Sequence, residues 1–179
     1  MMNSKTADKV KKRSKANDVF LTPLKLSKKQ INMIDYNDND IWFDPFKNNG
    51  SYYDQFPNNQ SDNIIDYYNS KNEWTEIIQN KDFFTFDKKV DIICSNPPYS
   101  MIDKVLEKSV ELKPRVISYL IGVNNLTAKR IEYMENNGYG LAKLHMCKVF
   151  KWFGMSFIVQ FERGAESCMS FDRVVWRED

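Results

Sequence analysis

The apolar positions of this chain switch between a helical and an extended period, and the switches mark its elements. A turn, Asn17 to Pro23, breaks the polar pattern and opens into a stretch with Leu24, Leu26, Ile31 and Ile34, which predicts a helix over Leu24 to Ile34 that ends in Asn37-Asp38-Asn39-Asp40. Ile41-Trp42-Phe43 then reads as a short strand. It stops at Asp44-Pro45, because proline cannot donate to a central ladder. The loop Asp44 to Gly50 leads into Ser51 to Phe56, after which a helix is predicted over Ser61 to Tyr68 and a strand over Asn72 to Ile77. Val90 to Ser95 is the clearest buried strand, β-branched and bounded by Pro97-Pro98. Ile102, Val105, Leu106, Val110 and Leu112 have helical spacing, so Ser100 to Leu112 is predicted as a helix with Ser100 as its candidate cap. Val116 to Val123 reads as strand, and Thr127 to Asn137 as a helix stopped by Gly138. Leu141 to Phe150 and Met155 to Phe161 read as two strands joined at Lys151-Trp152-Phe153-Gly154.

Strand and helix in alternation, closing on a hairpin, predict an α/β fold. Its sheet should be mostly parallel with an antiparallel edge hairpin, and helices should cover both faces. In such open sheets ligands bind outside the carboxyl ends of the strands. Asp44-Pro45 and Asn96-Pro97-Pro98-Tyr99 both fall at strand ends of that kind, so two motifs far apart in sequence are expected to share one crevice.

A length of 179 residues, with 42% hydrophobic and 14% aromatic residues, fits one globular domain, expected over residues 17–179 with no separate target-recognition domain. No apolar run is long enough to span a bilayer, and the lysine-rich start lacks the apolar stretch of a secretory signal, so an intracellular, cytoplasmic setting without a membrane partner is expected. Cys94, Cys147 and Cys168 show no CxxC pairing and are expected to be reduced, buried and small, with no metal site. The single His145 lies in a predicted strand and is expected to be structural. The net charge of +2 is unevenly spread: Lys5, Lys9, Lys11, Lys12, Arg13 and Lys15 crowd residues 1–16 against one Asp8. Such a segment reads either as a solvated tail or as a basic arm that meets nucleic-acid phosphates.

Ser95-Asn96-Pro97-Pro98-Tyr99-Ser100 resembles motif IV of the amino-methyltransferases, which methylate N6 of adenine or N4 of cytosine. The chemistry explains the residues. An exocyclic amine on a heteroaromatic ring is a poor nucleophile, because its lone pair is delocalised into the ring. The Asn96 side-chain oxygen and the Pro97 carbonyl can accept hydrogen bonds from the NH2 group and draw its nitrogen towards tetrahedral geometry. Two prolines, Pro97 and Pro98, stiffen the turn before substrate arrives, and Tyr99 would stack on the base.

Asp44-Pro45-Phe46-Lys47-Asn48-Asn49-Gly50 is similar to motif I of the same enzymes, which holds the methionine part of S-adenosylmethionine, with Gly50 permitting a close backbone approach. One glycine stands where many members carry two. The resemblance further implies an acidic residue on the cofactor ribose, with Glu76 chosen over Glu73 and Asp66, and Ile77 packing on the adenine. Lys81-Asp82-Phe83-Phe84 resembles motif III, with Asp82 on the adenine amine and Phe83 over its ring. Asp18 to Pro23, including Phe20, Thr22 and Pro23, resembles motif X, which encloses the methionine end. Lys151 to Gly154 resembles motif VIII, with Trp152 and Phe153 on the other face of the target base.

These resemblances imply a Rossmann-like methyltransferase fold and an S-adenosylmethionine cofactor, with transfer of a methyl group to N6 of adenine in DNA. Adenine is favoured over cytosine because adenine enzymes usually carry Asn or Asp where Asn96 stands. RNA or a protein glutamine is the alternative substrate, a homodimer the alternative to a lone subunit, and a non-catalytic binding subunit the alternative class. The Asn- and Lys-rich composition is similar to that of phage and large-DNA-virus members. A duplex substrate would need its base extruded.

Overall fold

The computed structural model describes residues 21–57, 64–66, 82–149 and 154–173. Six strands are ordered β2-β1-β3-β4-β6-β5 in one sheet: β1 (Trp42–Asp44), β2 (Ile64–Asp66), β3 (Ile92–Ser95), β4 (Val116–Gly122), β5 (Tyr139–Lys148) and β6 (Met155–Arg163). β2, β1, β3 and β4 run parallel, and β6 joins β4 antiparallel with β5 beside it. This is the mostly parallel α/β sheet with an antiparallel hairpin that the alternation predicts.

The pleat explains how both faces fill. Trp42, Ile92 and Val116 fall in one core cluster, while their neighbours Phe43, Ile93 and Ile117 fall in the other, because successive side chains point to opposite faces. Helix α1 (Leu24–Asn32) closes the first face with Ile31, joined by Ile34 just beyond it and by Tyr52 and Phe56. Helices α2 (Ile102–Glu111) and α3 (Ala128–Asn136) close the second with Ile102, Val105, Leu106, Ile131 and Met134. Thr127 caps α3 by accepting the Arg130 N–H. Ser100 does not cap α2; it lies in a 3-10 turn, Tyr99–Met101, that runs into the helix.

Three expectations change. Ile64–Asp66, inside the predicted helix Ser61 to Tyr68, is strand and pairs with β1 in register, Trp42 with Ile64 and Asp44 with Asp66. Three residues are too few to display alternation, and the pairing that makes them extended comes from β1, twenty residues upstream. The inward stripe of α1 is Ser27, Gln30 and Ile31, whereas Leu24 is exposed. Of the cysteines only Cys94 is buried; Cys147 is half-buried and Cys168 exposed, and all three are free. The predicted strand Asn72 to Ile77 and the segment 1–16 lie outside the described residues.

Charged side chains gather at the amino ends of the parallel strands. Asp40, just before β1, accepts from Arg115, just before β4, through Nε at 3.1 Å and through Nη2, and from the Asn37 N–H. Asp91, just before β3, accepts the Ile41 N–H at 3.0 Å. Lys143 of β5 donates to the Met33 carbonyl and to Asp35, whose own carbonyl accepts from Arg115.

Candidate functional site

After β1 the chain turns first to β2 on one side and later to β3 on the other. In open parallel sheets such a reversal is where ligands bind, outside the carboxyl ends of the strands, here those of β1 and β3. Asp44 ends β1 and Asn96 follows the last residue of β3, so the two sequence motifs meet there.

The junction is a direct bond. Ser95 Oγ lies 2.6 Å from Asp44 Oδ1, both wholly buried, and the same oxygen accepts the Phe46 N–H at 3.1 Å. The second contact is an Asx turn, which starts the loop after β1. The loop continues through Asn48, with φ of +53°, to Gly50, with φ of +83°. Gly50 is held between Lys47, whose carbonyl accepts its N–H, and Asp54, whose carboxylate would sit 2.3 Å from an added Cβ. Only glycine fits this backbone and this space.

In the Asn96 turn, Pro97 is buried and Pro98 and Tyr99 are half-buried. Asn96 Nδ2 lies 3.2 Å from Thr22 Oγ1. Its Oδ1 is buried and meets no hydrogen-bond donor among the described residues. A buried amide oxygen left this way costs about 1–3 kcal/mol, so its presence marks a place where something else donates. The Tyr99 ring lies against the end of β4, where a Cβ on Gly122 would come within 3.3 Å of it. Burial pushes the Cys94 thiol and the Tyr52 phenol well up, and the charge of Asp44 adds to both.

The remaining predicted residues divide. Asp66, the alternative to Glu76, ends β2 as the register partner of Asp44, at the same edge of the sheet. Glu76, Ile77, Phe20, Trp152 and Phe153 lie outside the described residues. Asp82 Oδ1 accepts the Phe84 N–H at 3.0 Å and caps a 3-10 turn, Phe83–Thr85. Phe83 is wholly buried between Phe43 and Phe46, with ring centroids at 5.9 and 5.4 Å, so it has no face open to a ligand, while its neighbour Phe84 is half-buried. Phe46 is itself 8% exposed and belongs to the same core, and Pro45 is buried. Pro23 precedes α1 and is exposed. Thr22 sits on Asn96, a contact that spacing along the chain does not reveal. Gln30, buried on α1, was also missed; a polar residue on an inward stripe was its signal.

The residues present suit S-adenosylmethionine: a glycine-bearing loop with left-handed backbone after β1 and a polar turn after β3. Among the described residues no group of three or more His, Cys, Asp or Glu is placed to hold a metal ion, and no helix is long and apolar enough to cross a membrane.

Sheet order and crevice together define a Rossmann-like methyltransferase fold. The sequence matches no protein-family profile and no curated protein. Solved structures do match. The precorrin-6y C5,15-methyltransferase of Geobacter metallireducens GS-15 aligns with a TM-score of 0.54 at 12% identity, over 80% of this chain and 91% of its own. M. jannaschii TYW2 in complex with AdoMet gives 0.46 at 16% identity, over 81% and 78%. Magnesium protoporphyrin IX methyltransferase from Synechocystis PCC 6803 with bound SAM gives 0.48 at 9% identity, over 78% and 76%. At 12% identity the first of these is a likeness of fold alone.

Proposed function

We propose that the chain is an S-adenosylmethionine-dependent methyltransferase that modifies N6 of adenine in DNA. The observation that carries this reading is the buried Asn96 Oδ1, an acceptor with no donor among the described residues, set on a proline-stiffened turn beside Asp44. The fold supports the cofactor, and the motif supports the amine.

S-adenosylmethionine supplies a methyl carbon made electrophilic by the attached sulfonium. The chain's own residues do the rest. Asp44 holds the first turn of the loop through the Phe46 N–H, and Gly50 lets that loop close. Glu76 is the candidate for the ribose hydroxyls, with Glu73 and Asp66, the latter at the end of β2, as its alternatives. Asn96 Oδ1 accepts an N–H of the target amine, which localises the lone pair on nitrogen and aims it away from the turn. Tyr99, backed by the end of β4, offers a ring for the base to stack on, and residues 1–16 supply a basic arm for phosphates.

The test incubates the full chain with methyl-labelled S-adenosylmethionine and, in parallel, plasmid DNA, RNA or a glutamine-rich polypeptide. Digested products are then identified by mass. N6-methyladenine from the DNA arm is expected. Label in the RNA or polypeptide arm alone would move the substrate class, and absence of both label and cofactor binding heat would favour a non-catalytic binding subunit.

A further inference from the structure

The carboxyl end of β4 holds an arrangement that none of the sequence motifs accounts for. β4 runs parallel to β3, and Gly122 closes it at the edge of the sheet where Asn96 follows β3. A Cβ on Gly122 would lie 3.3 Å from Tyr99 Cε2 and 3.4 Å from Asn125 Nδ2, so the Tyr99 ring and the Asn125 amide flank one small space. Asn125 ends a 3-10 turn, Val123–Asn125, and is half-buried.

Arg130 of α3 folds back onto that turn. Its Nη1 donates to the Asn125 carbonyl at 2.8 Å and to Asn125 Oδ1 at 3.3 Å, while its Nε donates to Asp103 of α2 at 2.6 Å. A guanidinium carries donors and no acceptor, so the end of the Asn125 amide that faces it is the oxygen. An amide turned end over end fills nearly the same space but would set NH2 against N–H. The Asn125 NH2 group therefore stands on the Gly122 side with the Tyr99 ring, and it meets no hydrogen-bond acceptor among the described residues.

We propose that Asn125 is a specificity-determining residue for the substrate base, its amide NH2, aimed by Arg130, donating to a ring nitrogen beside the amino group of adenine. The inference rests on the reading of Asn96 as the amine acceptor and of Tyr99 as the stacking ring. The edge of adenine shows a donor and an acceptor side by side, the NH2 group and the lone pair of a neighbouring ring nitrogen. Asn96 Oδ1 matches the first and Asn125 Nδ2 the second. Two neighbouring strands thus supply an acceptor and a donor that read the edge of the base, while Tyr99 holds its face. Arg130 and Asp103 are positioning residues that act through Asn125, and Gly122 leaves the room in which they meet the ring.

The experiment compares the full chain with its Asn125→Ala and Asn125→Asp variants on an oligonucleotide that the parent methylates. The same oligonucleotide is also made with 1-deazaadenine or 7-deazaadenine at the target position. Methyl transfer is read as kcat/KM for the oligonucleotide and S-adenosylmethionine affinity by calorimetry, with thermal unfolding to confirm folding. Asn125→Ala is expected to lower kcat/KM on adenine about fivefold, the size of one lost neutral hydrogen bond, with cofactor affinity held within about twofold. Asn125→Asp keeps an oxygen on Arg130 but sets a carboxylate against the ring lone pair, and should cost about thirtyfold. On one of the two deaza bases, the one that lacks the nitrogen read by Asn125, Asn125→Ala should cost about twofold or less, because the bond is already missing. The altered reactivity of the amine is common to parent and variant and cancels in that comparison.

An equal cost of Asn125→Ala on all three bases would mean packing support only. Weaker cofactor binding with transfer retained would make Asn125 a cofactor contact. Either result overturns the proposal. If the parent chain transfers to no nucleic acid, the functional reading fails and this inference falls with it, whereas parent transfer to adenine indifferent to Asn125→Ala sinks this inference alone.

Discussion

Asp40 and Asp44 bracket β1, and the two ends of that short strand treat a carboxylate in opposite ways. At the amino end, Asp40 is met by the Arg115 guanidinium and the Asn37 N–H, and Asp35, Asp91 and Lys143 extend the pairing along the same edge. At the carboxyl end, Asp44 is met by a hydroxyl and a backbone N–H, with an amide oxygen nearby that awaits a donor. Opposite charges that satisfy one another close an edge. On the proposed reading, the hydroxyl and backbone N–H on Asp44, next to an acceptor with no donor among the described residues, leave that edge ready for a ligand.

Substitutions at the two ends should therefore fail differently. The largest effect is expected for Asn96→Ala, which should cut turnover by about 10²–10³-fold while leaving S-adenosylmethionine affinity within about threefold, since it removes an interaction used in the transition state. A turnover equal to the parent's would erase the distinction between the edges. Asp44→Ala should weaken the cofactor by roughly ten- to a hundredfold in calorimetry, because the Asx turn and the Ser95 hydroxyl both lose their acceptor.

At the other end, Arg115→Met should lower the unfolding free energy in urea by about 2 kcal/mol, between the values for exposed and fully buried pairs, with cofactor affinity unchanged. A change in cofactor binding there would contradict the comparison.

The smallest effect, and the one that sharpens the contrast most, is in pH. Burial pushes the Asp40 carboxyl up, but the hydrogen bonds from Arg115 and Asn37 and the charge of Arg115 outweigh it and hold the group below its ordinary 3.8. Its contribution is thus complete above that value and is lost as pH falls through the lower folded value. Asp40→Asn should remove that share of the acid limb of the stability curve. Burial pushes Cys94, Tyr52 and Tyr119 up, so the unfolded chain loses those protons first and stability should fall as pH climbs past about 9–10. Asp35 and Asp40 put a share of the acid limb at the closed edge, Asp103 beside Arg130 adds another on α2, and the alkaline limb belongs to the buried interior.

The sequence announces most of this architecture because most elements carry their own signal. Val116–Gly122 is apolar and β-branched but for Ser118 and the closing glycine, and Ile102–Glu111 keeps one apolar stripe, so both are read within a residue or two. Ile64–Asp66 is not, because its extended state is imposed by β1 and three residues hold no period. In the site, Asp44 and Asn96 are legible as strand-end motifs. Phe83 is misread because a motif gives residue types and not which neighbouring ring, Phe83 or Phe84, turns into the core. The contact of Thr22 with Asn96 and that of Gln30 with Tyr52 are not legible, since each joins residues far apart in sequence.

The Ser95 hydroxyl belongs to one motif and its acceptor to the other, so neither half of the crevice is free to drift alone. A lineage that replaced Asp44 would strand a buried hydroxyl, and one that replaced Ser95 would strip the carboxylate of a donor. Substitutions that retune how tightly the small molecule is gripped are therefore expected to be tolerated only when both positions change in step.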